Sequence, residues 1–519
     1  MKRRSFIKTS SILSTPLVMG GISVAPIVQN TLSSLLNQDS DRVLVLIQLN
    51  GGNDGLNTII PIDQYDNLVA VRPQVVIPEN RIINATDKVG FHPNMSAMKT
   101  MYDEGLLSII QSVGYPNQNR SHFRSTDIWH TGSDADKFLN TGWLGRYLDA
   151  FNANYPADFP NETCPDPFAL TIGSSVSETC QGLAGNFSLA LIDPENLSQL
   201  NTPINNDLAE GCYSSKLSFL TKTIEQTNAY GSVIQKASDL GSNASTLYDE
   251  RDSLAQKLKL VAKLIKGGLR TKIYVVSLGG FDTHAEQVVD GDTTRGIHAE
   301  LLKSLSDGIF AFQEDLKALG LFERVAGMTY SEFGRRIRSN FSNGTDHGTA
   351  APLILFGSCV LPIIHGDNPE ISQDVDGQEG VPMQYDFRSV YGSVLADWFA
   401  VDETIIKEIL VGDFQKIDLF EGCAALSTST NETIINVVDM SIYPNPTTNL
   451  TSIEFDSKGE YIKISLFDTL GQEVKVLSNQ HFSTGTHTLQ FEMTNLPNNA
   501  YFIRLQTKYA QKTMRIVKI

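Results

Sequence analysis

Residues Arg42–Asn57 read RVLVLIQLNGGNDGLN. Val43 to Leu49 is apolar except at Gln48, with β-branched side chains at Val43, Val45 and Ile47. That length and composition suit a strand buried on both faces, as in a parallel sheet under helices. Asn50-Gly51-Gly52-Asn53-Asp54-Gly55 follows as a turn whose glycines let backbone come close to a ligand. Ligands of open α/β sheets sit at the carboxyl ends of strands. Asp54 therefore stands where a metal ligand or catalytic carboxylate would be; taken alone it also fits a turn-forming Asx.

Outward from this stretch the pattern repeats. Apolar runs at Leu106–Val113, Lys272–Leu278, Arg324–Thr329 and Pro352–Phe356 predict four more strands. Helical periodicity is expected over Asn94–Glu104, from about Ser121, and over His298–Leu319 and Phe387–Phe399. Ser121 or Asn119 is placed to cap the second of these helices. Residues 152–212 read as loop-rich. Residues 213–266 read as a helical insertion, with Leu254, Leu258, Val261, Leu264 and Ile265 on one face. Strands alternating with helices predict a mostly parallel sheet with helices on both faces over residues 41–415.

The predicted strand ends carry reactive side chains. They are Asp54, then Ser121 and His122 in NRSHF, Asp282 and His284 in GGFDTH, and Glu332 in SEFGR. The loop GTDHG adds Asp346 and His347. Carboxylates and imidazoles arriving from separate strands at one sheet edge suit a divalent metal such as zinc, manganese or iron. The expected ligands are Asp54, Asp282, His284, Glu332, Asp346 and His347. A hydroxyl at a helix start, Ser121, is the candidate nucleophile. Arg120 or Arg335 could neutralise an anionic substrate. Each residue also has a plain structural use: a turn, a cap, or an ion pair of Glu332 with Arg335 or Arg336.

The chain has 519 residues and a formal net charge of −17. That charge argues against nucleic-acid or anionic-membrane partners. Its five cysteines, Cys164, Cys180, Cys212, Cys359 and Cys423, show no zinc spacing. A bridge within the Cys164–Cys212 region is one expectation in an oxidising compartment. Met1-Lys2-Arg3-Arg4-Ser5-Phe6-Ile7-Lys8 opens a weakly apolar stretch to about residue 28, which Pro16, Gly20, Gly21 and Pro26 interrupt. This predicts an export signal and no permanent membrane span. Residues 421–439 are rich in Ser, Thr and Asn and read as a linker. After Tyr443-Pro444-Asn445-Pro446, evenly spaced short strands predict a small all-β sandwich over 440–519.

Three resemblances follow from these residues. The Arg3-Arg4 start resembles a twin-arginine signal, which implies the twin-arginine translocase as partner and export after folding. YPNP, FDTLGQEV and YFIRLQT resemble the type A sorting domain of the type IX secretion system of Bacteroidetes. This implies contact with that machinery and a secreted or cell-surface destination. The order NGGNDG, NRSHF, GGFDTH, SEFGR, GTDHG resembles a family of twin-arginine-exported bacterial proteins catalogued as a domain of unknown function. That family is similar, at a distance, to the alkaline phosphatase and sulfatase superfamily. The resemblance implies an alkaline-phosphatase-like fold and a metal-dependent hydrolase acting on a small anionic phosphate or sulfate ester. A non-catalytic surface protein binding a glycan or a partner on the same fold is the alternative. Within the superfamily pattern, Phe333 stands where a His ligand is usual, and the Asp282–His284 spacing is short.

Overall fold

The computed structural model of the chain describes residues 41–152, 155–196, 212–421, 440–467, 473–494, 496–507 and 511–519. The expected export signal and nearly all of the expected linker lie outside these residues. Described residues 41–421 form one compact unit and 440–519 belong to another.

In chain order the strands of the first unit are β1 (Val43–Asn50), β2 (Ile59–Pro61), β3 (Ile83–Asn84), β4 (Val89–Phe91), β5 (Leu107–Gly114), β6 (Ala169–Ile172), β7 (Ser188–Leu191), β8 (Ile273–Gly279), β9 (Val325–Tyr330), β10 (Ala351–Phe356), β11 (Ile364–His365) and β12 (Tyr385–Asp386). Nine of them form one sheet, in the order β11–β5–β10–β9–β1–β8–β6–β7 with β12 beside β5. β2, β3 and β4 make a separate antiparallel sheet. In the large sheet β1 lies between β8 and β9, parallel to both. Only β10 runs antiparallel to its neighbours β5 and β9. The sheet is therefore mostly parallel, as the alternation of strands and helices predicts.

Both faces are covered. Val43, Val45, Ile47 and Leu49 enter one apolar core with residues of the helices Ser96–Asp103, Ser253–Lys266 and Ile297–Leu319. Leu44 and Leu46 enter the opposite core with residues of the helices His122–Thr131, Trp143–Phe151, Phe387–Ser393 and Glu403–Leu410. Each such side chain contributes about 1.5–3 kcal/mol on burial, an upper figure because unfolded chains are themselves partly compact. This two-sided burial is why β1 reads as a continuous apolar run instead of alternating.

Three readings change with the structure. The stretch 152–212 contributes β6 and β7, which extend one edge of the sheet; at four residues each they are too short to show a period. The stretch 213–266 forms the helices Cys212–Leu240 and Ser253–Lys266. The second is part of the layer covering the sheet, with Leu254, Leu258, Val261, Leu264 and Ile265 all buried. Cys164 and Cys180 are free thiols and Cys359 is disulfide-bonded, so no bridge forms within Cys164–Cys212.

The second unit is all-β and antiparallel. Its strands are β13 (Met440–Tyr443), β14 (Leu450–Phe467), β15 (Glu473–Glu492), β16 (Ala500–Gln506) and β17 (Gln511–Val517). β14 pairs with β13, β15 and β16. Where short strands are expected, β14 runs unbroken from Leu450 to Phe467. Its buried positions switch from odd (Ile453, Phe455) to even (Ile462, Ile464, Leu466) around Gly459, at φ +87°. A strand that turns over in this way passes from one layer of a sandwich to the other.

Candidate metal centre

Four parallel strands and one reversed strand bring five loops to the same sheet edge. β1, β5, β8 and β9 end there, and β10 begins there because it runs the opposite way. That reversal is what delivers the loop Asn343–Ala350 to the carboxyl ends of the others.

The turn after β1 is held tightly. Gly51 and Gly52 have φ +124° and +84°. A Cβ on Gly51 would lie 2.3 Å from Asp282 N, and one on Gly52 would lie 2.4 Å from the Phe333 ring. Ser331 Oγ accepts from Asn53 N–H at 3.0 Å and donates to Leu49 O at 2.7 Å. Glu332, fully buried, accepts from Gly51 N–H at 2.9 Å. Arg335, also fully buried, donates to Gly52 O and Thr345 O (2.7 and 2.8 Å), to Phe281 O and Asp282 Oδ1 (2.8 Å each), and to Gly51 O. One guanidinium thus ties three loops together. Its donors go to the chain itself, so Arg335 is not the group that would meet a substrate.

Around Asp282 three imidazoles converge. Asp282 Oδ1 lies 3.4 Å from His122 Nε2, 3.2 Å from His284 Nε2 and 3.1 Å from His347 Nε2. His284 Nε2 and His347 Nε2 are 2.8 Å apart. Each imidazole is oriented by an acceptor on its other nitrogen. His122 Nδ1–H donates to Glu332 Oε1 at 2.8 Å, His284 Nδ1–H to Asp346 Oδ1 at 2.9 Å, and His347 Nδ1–H to the Arg120 carbonyl at 2.8 Å. Those acceptors place the proton on Nδ1, so all three Nε2 atoms present lone pairs to the space beside Asp282.

The charge states agree with this. Burial pushes the Asp282 carboxyl up, but the hydrogen bond and charge of Arg335 outweigh it and hold it below its ordinary value. Burial also opposes the Asp346 carboxyl, which hydrogen bonds from His284 and Asn340 bring below its ordinary value. His347 is lowered, first by burial, and so is held neutral. His122, Asp282 and His347 form a group of donors whose atoms all lie within 4.8 Å of one another. The described residues thus contain a cluster able to hold a metal ion.

Of the six expected ligands, Asp282, His284 and His347 are brought together. Glu332 and Asp346 stand one step back, as the carboxylates that orient His122 and His284. Asp54 is elsewhere in role. Its Oδ2 pairs with Arg72 Nη2 at 2.5 Å and accepts from Gln287 Nε2 at 2.6 Å, with both charged side chains buried. Gln287 Oε1 in turn accepts from Thr283 Oγ1 (3.2 Å) and Thr345 Oγ1 (2.6 Å). Asp54 therefore anchors a buried chain of hydrogen bonds behind the loops carrying Asp282, His284 and His347.

The donor absent from the expected set is His122. Its signal was in the sequence, in NRSHF beside Ser121, but choosing between neighbouring residues needs the direction of the helix start. Ser121 is exposed, and its hydroxyl makes no hydrogen bond among the described residues, not even a helix cap. Phe333 packs its ring 4.9 Å from that of His122 and 4.7 Å from that of His347, centroid to centroid. Its ring closes one side of the cluster with hydrocarbon.

These features define a mixed α/β protein with a His/Asp cluster at the carboxyl edge of its sheet. The chain belongs to the family described as "Protein of unknown function (DUF1501)", which it matches over residues 41–410. Residues 441–519 match the "Secretion system C-terminal sorting domain". Among curated proteins no sequence matches the chain. Solved structures similar to it include a sulfatase from Pseudoalteromonas sp., at 11% identity and TM-score 0.32 over 90% of this chain and 88% of that one. A protein in the alkaline phosphatase superfamily from Vibrio parahaemolyticus is similar at 9% identity and TM-score 0.33, over 95% and 88%. A phosphonate monoester hydrolase from Silicibacter pomeroyi is similar at 10% identity and TM-score 0.33, over 92% and 88%. No helix among the described residues is long and apolar enough to cross a membrane.

Proposed function

We propose that the chain is an exported, metal-dependent hydrolase of phosphate or sulfate esters. One observation carries the reading. Three imidazole Nε2 atoms with their protons held on Nδ1 face an ionised carboxylate, and two of those nitrogens are 2.8 Å apart. Lone pairs so close repel unless a cation lies between them. His122 Nε2 is buried and makes no hydrogen bond, as suits an atom waiting for such a cation. Bonds of about 2.0–2.1 Å to a tetrahedral ion put neighbouring donors about 3.3 Å apart, which the 3.1–3.4 Å contacts of Asp282 match.

His122, Asp282 and His347 would hold the ion, with His284 Nε2 beside Asp282 and His347; zinc, manganese and iron all suit this donor set. When bound it would supply Lewis-acid polarisation of an ester oxygen. Glu332, Asp346 and the Arg120 carbonyl fix the imidazole tautomers. The Arg120 side chain would balance negative charge on the substrate. Ser121, next in sequence to His122 and with its hydroxyl free of hydrogen bonds among the described residues, is the candidate nucleophile. The Arg3-Arg4 start and the sorting domain support passage through the twin-arginine and type IX routes to the cell surface or beyond.

Elemental analysis of the full chain and of His122→Ala and His347→Ala variants tests the metal. Stoichiometric metal, lost in both variants, is expected. Hydrolysis of aryl phosphate and sulfate esters by wild type and Ser121→Ala tests the reaction. Loss of turnover with fold and metal retained supports Ser121, and full activity in the variant removes it. A second reading, a binding protein on the same fold, is favoured by the pairing of Asp54 with Arg72 and by Phe333 beside the cluster. A metal-loaded chain inactive on every ester tested would select it.

A further inference from the structure

The Arg120 side chain has no use in holding the imidazoles and the Arg336 side chain reaches them only through Asp346, yet both lie beside the cluster. The Arg120 carbonyl receives His347 Nδ1–H. Arg336 N–H donates to Asp346 O at 2.9 Å, and its Nη1 lies 3.1 Å from Asp346 Oδ2. The two guanidinium groups then meet consecutive carbonyls of one crossing segment. Arg120 Nη1 donates to Gln378 O at 2.6 Å, and Arg336 Nη1 reaches toward Gly377 O at 3.4 Å. Arg338 holds the same segment through Val375 O and Gln373 O, at 2.7 and 2.9 Å.

The charge here is not balanced in the usual way. Among the described residues no carboxylate lies within ion-pair distance of Arg120 or Arg338, and Asp346, which pairs with Arg336, is shared with His284. The segment does carry acids. Asp376 accepts from Gln378 N–H, and Glu379 accepts from Asp376 N–H; neither pairs with an arginine. Arg120 makes one side-chain hydrogen bond out of five N–H donors. Arg336 Nε is buried with no partner. The carbonyl oxygens stabilise each cation, but two half-buried like charges on neighbouring carbonyls repel one another, and an anion shared by both would offset that repulsion. On a chain of net charge −17, the long-range field would repel such an anion, so a local pair of guanidinium groups must supply the attraction.

We infer that Arg120 and Arg336, at the crossing of segment 373–380, form an anion subsite beside the His/Asp cluster. It takes a phosphate or sulfate group other than the one that reacts. The preferred substrates are then esters carrying a second anionic group. This rests on the hydrolase reading above, but the subsite itself needs no metal.

The test is calorimetric titration of inorganic sulfate into the full chain, chelator-stripped and metal-loaded, with metal content measured in parallel. Sulfate binding to the stripped wild type is expected, weakened at least about tenfold in Arg120→Gln and retained in Arg120→Lys. Arg336→Gln should weaken it as well. If Arg336→Gln also loses metal, Arg120→Gln decides, because its guanidinium touches no imidazole. A further equivalent bound by the metal-loaded chain identifies the group as the non-reacting one. Sulfate binding that requires metal and is unchanged in Arg120→Gln places the anion on the ion and overturns the subsite. Absence of binding in either form overturns it too. A wild type that takes up no metal defeats the hydrolase reading while leaving the stripped-chain titration to judge the subsite.

Discussion

Asp54 and Glu332 show how one residue type serves two ends at one sheet edge. Both are buried carboxylates at strand ends. Asp54 Oδ2 is taken by Arg72 and Gln287, whereas Glu332 receives Gly51 N–H and His122 Nδ1–H. Removing one partner of a buried ion pair typically costs about 3–5 kcal/mol, because the other charge is stranded. Asp54→Ala is therefore expected to lower stability by that order while leaving metal stoichiometry at saturation unchanged. Denaturant unfolding and elemental analysis of the same sample check this. Carboxylates that orient a ligating histidine are worth about 10–100-fold in metal affinity, or about 1.4–2.7 kcal/mol. Glu332→Ala is expected to weaken metal binding within that range, read by competition with a chromogenic chelator. An effect on Asp54→Ala stoichiometry equal to that of His347→Ala would return Asp54 to the ligand set.

At the scale of elements, the turn after β1 is braced from behind by a buried histidine, His298, whose ring lies edge-on to that of a second, His92. His298, on the helix Ile297–Leu319, donates from Nε2 to Asn53 Oδ1 at 3.0 Å. His92, in the turn before the helix Ser96–Asp103, accepts Asn94 N–H on Nδ1 at 3.1 Å. Burial pushes His298 down to about 4 and His92 to about 3, from an ordinary 6.5. Between pH 6.5 and those values the unfolded chain binds protons that the folded chain refuses. Stability is thus full above pH 6.5 and falls as the pH drops toward 4, by up to about 1.4 kcal/mol per unit for each histidine. Urea unfolding of the chelator-stripped chain at pH 7 and pH 5 should show this loss, and His298→Gln should lessen its slope. An unchanged slope in that variant would assign the loss to other groups.

At the scale of the whole molecule, each unit keeps an apolar core of its own, around β1 in one and around Ile453, Ile464 and Ile503 in the other. Deletion of residues 440–519 is expected to leave the metal content of the remaining chain unchanged and to stop its appearance outside the outer membrane. Fractionation of cells expressing both forms, with metal analysis of each, measures the two effects separately. Loss of metal on deletion would show that the α/β unit depends on its partner to fold.

The run Val43–Leu49 by itself determined a strand buried on two faces, and the repeated runs ending in NRSHF, GGFDTH and SEFGR determined a layered α/β sheet. Local chemistry sufficed, because two-sided burial demands unbroken apolar residues and tight turns demand glycine. The turns likewise marked where reactive residues collect, and Asp282, His284 and His347 were legible there. Only the tertiary structure decided which of the collected residues meet. Antiparallel β10, whose direction is set by long-range pairing with β5 and β9, brings His347 to the others. The start of the helix His122–Thr131 turns His122 inward and leaves Ser121 in solvent. Arg72, eighteen positions from Asp54, claims a carboxylate that position alone would have given to a metal. Those outcomes depend on hydrogen bonds and ion pairs between residues far apart in the chain, where sequence spacing carries no information about distance.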